Sequence, residues 1–241
     1  MQLKKSLGQN FLRDENILRK EAALANVAGK TVLEIGPGDG RLTEKLLEQK
    51  PKKLICVEKD LRFVQLLEEK FAAAKNIQIV NADFLDYELP SVDIVIGNIP
   101  YYISSDIIFK LKDEKIETAI IMVQKEFAEK MVAKPNAANY GRLSVTSQLF
   151  FHVQLAFKVS RHLFTPRPKV DSAVIVLKPT GIELTAAQED LIRKMYQQKN
   201  KKVRNSLRDV GAKWAERRPR TLNAVEVLEI IKNYSENSSA S

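Results

Sequence analysis

Residues Val32–Gly40 read VLEIGPGDG. A short, almost continuously apolar run, Thr31–Ile35, stops at a turn with glycines at 36, 38 and 40 and a stiffening proline at 37. Such a run reads as a strand covered on both faces. Glycines at its carboxyl end let a ligand approach the backbone closely, and the turn opens a helix. The spacing is G-x-G-x-G, whereas a nicotinamide-binding fold wants G-x-G-x-x-G.

Working outward, similar apolar runs occur at Lys53–Val57, Ile77–Val80, Val92–Ile96 and Thr118–Val123. Between them, Gly40–Gln49 carries Leu42, Leu46 and Leu47 at helical spacing, and Leu61–Ala74 carries Phe63, Leu66, Leu67 and Phe71. Asp60 is placed to cap the second helix. Strand–helix alternation predicts a doubly wound α/β sheet. Leu149–Val159 and Ser172–Leu177 read as two strands joined through the loop FTPRPKV, forming an antiparallel pair at one edge. From Thr185 the chain turns polar and helical, with Thr185 and Gln188 fitting a capping box. Pro179 and Gly181 interrupt the pattern and predict a boundary there. This gives domains at residues 1–180 and 181–241. The Ser/Asn-rich stretch after Tyr234 is expected to fray.

The 241 residues suffice for one sizeable core and a small second domain. Their 44% hydrophobic and 29% charged content is that of a soluble globular protein. No apolar run approaches the roughly 18 residues of a membrane span. The N-terminus lacks the apolar region of a signal peptide, so no membrane association and a cytoplasmic location are expected. The single cysteine, Cys56, excludes an internal disulfide framework and a cysteine-rich metal site. Net charge is +9, and residues 191–220 alone hold eleven cations against Asp209 and Glu216. The remainder of the chain is therefore neutral. A solvated helical face is one reading of this segment. The concentration of charge favours the other, a nucleic-acid surface.

Three strand ends form a candidate cofactor site. Glu58 lies about twenty residues after the glycine turn, where an acid accepts from both ribose hydroxyls. Asp83 can accept from an adenine amino group, and Phe84 can lie against the ring. Each alone could be an ordinary helix cap; together they predict a nucleoside-containing cofactor. The glycine spacing resembles that of S-adenosylmethionine-dependent methyltransferases.

The fourth strand ends in GNIPYYIS, Gly97–Ser104. An adenine exocyclic amine is a poor nucleophile because its lone pair is delocalised. Two acceptors aimed at its N–H bonds would turn the lone pair outward. The Asn98 side-chain oxygen and the Ile99 carbonyl can be those acceptors, with Pro100 restricting the backbone. Tyr101 offers a stacking face, and Tyr102, which has no role in this chemistry, is expected to pack. The bland alternative is an Asn-Pro turn with core tyrosines. The only histidines, His152 and His162, read as structural, and no metal site is visible.

These residues carry a family resemblance. KKSLGQNFL, EIGPGDGRLT, VEKD, NADFLD, GNIPYYIS, MVQKEFAEKMVAKP, YGRLSV and FTPRPKVDSAV stand in the order of the ribosomal RNA adenine dimethyltransferases. The similarity covers residues 1 to about 210. It implies a class I S-adenosylmethionine-dependent methyltransferase: a Rossmann-like, mostly parallel seven-stranded sheet with a small C-terminal helical domain. It also implies N6,N6-dimethylation of two adjacent adenines near the 3′ end of small-subunit rRNA, on a pre-ribosomal subunit, by a monomer. Asn10 and Leu12 would close over the cofactor, with Gly36, Gly38, Glu58, Asp83, Phe84 and Asn98 completing the site. Phe164 would face Tyr101 across the target base. Read without the resemblance, Asn10 is a surface loop and Phe164 equally a core residue. Lys199, Lys201, Lys202, Arg204 and Arg208 resemble the RNA grip of the family's C-terminal domain. Asp39 departs from the usual glycine turn, and after Gly211 the match is loose. NIPY and the short C-terminal region lean archaeal or eukaryotic. Two other functions remain open: a large-subunit methyltransferase of the erythromycin-resistance type, and a non-catalytic assembly factor.

Overall fold

The computed structural model describes residues 10–208 and 210–239, apart from the side chains of 235–239. The part of KKSLGQNFL before Asn10 lies outside the described residues. The strands are β1 (Phe11–Leu12), β2 (Thr31–Ile35), β3 (Lys53–Glu58), β4 (Ile77–Asn81), β5 (Ile94–Asn98), β6 (Thr118–Gln124), β7 (Phe151–Val159), β8 (Phe164–Thr165) and β9 (Ser172–Pro179). The helices are α1 (Glu15–Leu24), α2 (Arg41–Glu48), α3 (Leu61–Lys70), α4 (Ser104–Leu111), α5 (Lys125–Met131), α6 (Arg142–Phe150), α7 (Ala186–Gln197), α8 (Ala212–Ala215) and α9 (Ala224–Ser239).

Seven strands form one sheet in the order β4-β3-β2-β5-β6-β9-β7. The β2–β3, β3–β4, β2–β5 and β5–β6 pairs are parallel, and β6–β9 is antiparallel. Consecutive residues such as Val32 and Leu33 are both fully buried, as a sheet covered on both faces requires. The chain order reverses beside β2, which opens a crevice at the strands' carboxyl ends. Asp60 caps α3 by accepting from the Arg62 N–H, and Asp14 caps α1 by accepting from the Ile17 N–H at 2.9 Å.

Three elements differ in their bounds from the sequence reading. β5 begins at Ile94, because the Asp93 carboxylate accepts from the Thr31 N–H at 2.7 Å outside the ladder. That shift places Asn98 on the last strand position. Leu149 and Phe150 close α6, so the next strand starts at Phe151. The expected pair of β7 and β9 stands at one edge: β7 is outermost, and β9 lies inside it, next to β6. Ala173, Val174 and Ile175 of β9 are all fully buried, whereas β7 carries exposed positions suited to an edge. The stretch after Tyr234 continues α9 to Ser239.

The chain divides into two compact units. One runs to Ala128 and resumes over Gln154–Pro179; the other takes Glu129–Val153 and the chain from Thr180. Residues 129–153, which the sequence reading places in the first domain, therefore belong to the second unit. That unit has its own core around Tyr140, Ile192, Met195, Trp214 and Ile230. Its two buried tyrosines meet edge to face at 6.3 Å, and the Tyr196 hydroxyl donates to the Pro219 carbonyl.

One glycine of the sheet is fixed by contact. A Cβ on Gly97 would stand 2.6 Å from the carbonyl oxygen of Ile35, its register partner on β2. Backbone cannot yield there as a flexible side chain could. Gly97→Ala is expected to cost about 1–3 kcal/mol, read as a lower urea midpoint. An unchanged midpoint would contradict this close approach.

Candidate active site

The carboxyl ends of β2, β3 and β5, the segment after β4 and the β1–β8 ribbon enclose one pocket. Gly36, Gly38 and Gly40 have φ of +63°, +57° and +75°, a region that side chains rarely adopt. At Gly38 space matters as well, since a Cβ there would meet the Phe11 ring at 2.6 Å. Asp39, the unusual residue of the turn, accepts from Arg41 at 3.0 Å and pairs with Arg13 at the rim.

Glu58 is buried at the end of β3. Its two oxygens accept from the Gly38 N–H at 3.1 Å and the Asp60 N–H at 2.8 Å. Burial raises its pKa, and these backbone donors oppose the rise. A carboxylate has lone pairs beyond these two bonds for further donors. Asp83 accepts from the Leu85 N–H at 3.0 Å and pairs with Lys59, which holds its carboxyl below the usual range. Phe84 is buried, and the Lys110 ammonium lies 5.4 Å from its ring centroid.

At the end of β5 the Asn98 Oδ1 is buried without a hydrogen-bond partner. Ile99 is buried, and Pro100 is extended at φ −60°, ψ 133°. The Tyr101 hydroxyl is tied to the Ser172 Oγ at 2.6 Å, which fixes the ring; burial raises its pKa. Tyr102 is 63% exposed, which overturns the expected packing.

The ribbon supplies the remaining wall. Leu12 pairs with Phe164 and Phe11 with Thr165, and the Arg13 N–H donates to the Leu163 carbonyl at 2.8 Å. Asn10, Leu12 and Phe164 thus join Gly36, Gly38, Glu58, Asp83, Phe84, Asn98, Ile99, Pro100 and Tyr101 in lining one pocket. His152 and His162 line no part of it; His162 lies 3.0 Å from Arg167.

Sequence reasoning missed Phe11, which covers the glycine turn and packs on Phe63 at 5.4 Å, and the hydroxyl of Ser172. It also missed Glu21, a fully buried carboxyl on α1 that faces the Asn98 side chain. Burial pushes it up to about 8. The Asn98 amide is near enough to temper that rise, and Glu34 adds to it. Glu34 itself is raised to about 7 by burial, and the Cys56 thiol lies 3.6 Å from its Oε2. KEAALA carries no local mark of such a residue; only the fold buries it.

The five basic residues expected to hold RNA are not equivalent. Lys199 donates inward to the Tyr140 carbonyl at 2.6 Å. Lys202 and Arg204 both pair with Glu216. Lys201 and Arg208 are exposed. Three acids outside residues 191–220 also pair with cations of that segment: Asp190 with Arg193 and Lys194, Glu229 with Lys213, and Glu226 with Arg217. Among the described residues, no acid, histidine and cysteine cluster could hold a metal, and no helix is long and apolar enough to cross a membrane.

A doubly wound seven-stranded sheet with one internal antiparallel strand, and a glycine turn answered by an acid on the next strand, defines the Rossmann-like fold of S-adenosylmethionine-dependent methyltransferases. Its solved neighbours agree. A dimethyladenosine transferase from Plasmodium falciparum superposes with a TM-score of 0.86 at 27% identity, over 95% of this chain and 98% of that one. The 23S rRNA methyltransferase ErmE gives a TM-score of 0.75 at 30% identity, over 93% and 99%. The chain belongs to the ribosomal RNA adenine dimethylase family, whose profile matches residues 1–237. Ribosomal RNA small subunit methyltransferase A of Mycoplasma mobile is 44% identical over 86% of this chain and 84% of its own. The Methanopyrus kandleri protein named "Probable ribosomal RNA small subunit methyltransferase A" is 41% identical over 93% and 83%. Relatives thus come from a bacterium as well as from an archaeon.

Proposed function

We propose that this chain dimethylates N6 of two adjacent adenines near the 3′ end of small-subunit rRNA, using S-adenosylmethionine, on a pre-ribosomal particle. The observation that carries the reading is the Asn98 Oδ1: a buried acceptor without a partner, lining the pocket between the glycine turn and a tethered tyrosine. A buried acceptor left unpaired is costly unless a ligand satisfies it.

The pocket suits the cofactor. Gly38 leaves room for the Phe11 ring over the turn, and Glu58 keeps acceptor capacity for ribose hydroxyls. Asp83 and Phe84 are placed to take an adenine, and Asn10 and Leu12 close the wall. S-adenosylmethionine supplies a methyl group activated by its sulfonium. The chain's part is then orientation. Asn98 and the Ile99 carbonyl accept from the two N–H bonds of N6, which frees its lone pair for the methyl carbon. Tyr101 and Phe164 hold the base between them. With the donor already activated, no strong base is needed: the sulfur would keep the electron pair of the bond it gives up, and the proton that alkylated N6 sheds would pass to solvent.

Lys201, Arg208 and the exposed Arg204 are offered to rRNA phosphates, Arg204 while paired with Glu216; Lys199 and Lys202 support the unit itself. The names of the relatives favour the small subunit over the large. Unmodified small subunits incubated with methyl-labelled S-adenosylmethionine are expected to gain two dimethyladenosines near the rRNA 3′ end by mass mapping. No incorporation would overturn the reading. Label confined to large-subunit adenine would favour the resistance type.

A further inference from the structure

Tyr102 follows the tethered Tyr101 and behaves in the opposite way. Tyr101–Ile103 form a 3₁₀ turn, which splays successive side chains by about 120°. With Tyr101 held inward by Ser172, its neighbour faces out. Of the large hydrophobic side chains left exposed among the described residues, only Tyr102 lines the pocket. Lys59 lines it too, reaches solvent beside its partner Asp83, and lies near enough to Tyr102 for the two to interact electrostatically. A flat ring and an ammonium together match one nucleotide: a base to stack and a phosphate to neutralise.

We propose that Tyr102 and Lys59 form a second nucleotide subsite at the pocket mouth, which holds the nucleotide next to the target adenine. This rests on the reading that adjacent adenines in RNA are the substrate. Turning one base into the pocket strips its neighbour of a stacking face. Tyr102 replaces that face, and each adenine occupies the subsite while the other reacts.

Two measurements test this. Tyr102→Ala is expected to raise KM for unmodified small subunits about tenfold, within the range of one base–aromatic stack. Cofactor affinity should stay unchanged, and Tyr102→Phe and Tyr102→Trp should keep the wild-type KM. Tyr102→Trp also adds emission to that of Trp214. RNA with two adjacent adenines should quench the added emission, and RNA abasic at those positions should not. An unchanged KM in Tyr102→Ala, loss of its cofactor binding, or added emission that RNA leaves unquenched would each overturn the subsite. If the wild-type enzyme methylates no subunit, the substrate reading fails instead, and the quenching still decides whether Tyr102 meets a base.

Discussion

Asn98→Ala is expected to lower turnover by about 10²–10³-fold, the usual cost of losing one preorganised hydrogen-bond partner of a transition state. Cofactor binding should remain measurable by calorimetry, because Glu58 and the glycine turn are untouched. The argument is geometric. Asn98 ends β5, pinned by the register that pairs it with Met122 of β6. Its Oδ1 therefore stands in place before substrate arrives and reorganises little during reaction. An alanine removes the acceptor and leaves N6 with its lone pair in the ring. Activity near wild type, measured in single turnover to exclude product release, would refute the acceptor role. Asn98→Asp tests the same point from the other side. It keeps an oxygen but introduces a charge beside Glu21.

Glu21 carries the second large effect, on stability. Its pKa is about 8 in the folded chain against an ordinary value of 4.5. The folded state therefore binds more protons than the unfolded state between those values. Stability is full below about pH 4.5 and is lost as pH rises toward 8, at up to about 1.4 kcal/mol per pH unit. Glu34 adds a loss of the same sign that ends near pH 7. Glu21→Gln removes one ionisation without changing shape. The variant and wild type should unfold alike at pH 4.5. At pH 8 the variant should be the more stable, by at most about 5 kcal/mol. The groups facing Glu21 are Asn98 and Glu34, and neither is a cation that could cancel the effect. Urea midpoints at the two pH values provide the check, and parallel curves for both proteins would sink the idea.

What the sequence disclosed was local. Continuous apolar runs marked β2, β3 and β6, turn glycines marked the loop after β2, and Asp60 marked the start of α3, because each signal lies within a few residues of its effect. Non-local choices were hidden. The pairing of β7 with β9 at one edge was legible, but which of the two lies next to β6 depends on which strand must be covered on both sides. The strand ends that hold Glu58 and Asn98 were visible as punctuated apolar runs. Which of two adjacent tyrosines faces inward depends on the phase of a single 3₁₀ turn and on Ser172, seventy-one residues from Tyr101. Glu21 looked like any helical glutamate until the fold enclosed it.

The inward Lys199 and the shared Glu216 bear on how tightly the basic segment can hold a polyanion. Affinity for nucleic acid grows with the number of phosphates whose condensed counterions a protein displaces. A cation already balanced by Asp190, Glu226 or Glu229 must give up that partner before it displaces one. The formal excess therefore overstates the effective valence of this surface. On the proposed function, such a surface gives loose attachment with a shallower salt dependence than eleven cations imply, and leaves selection among RNA sites to contacts at the bases.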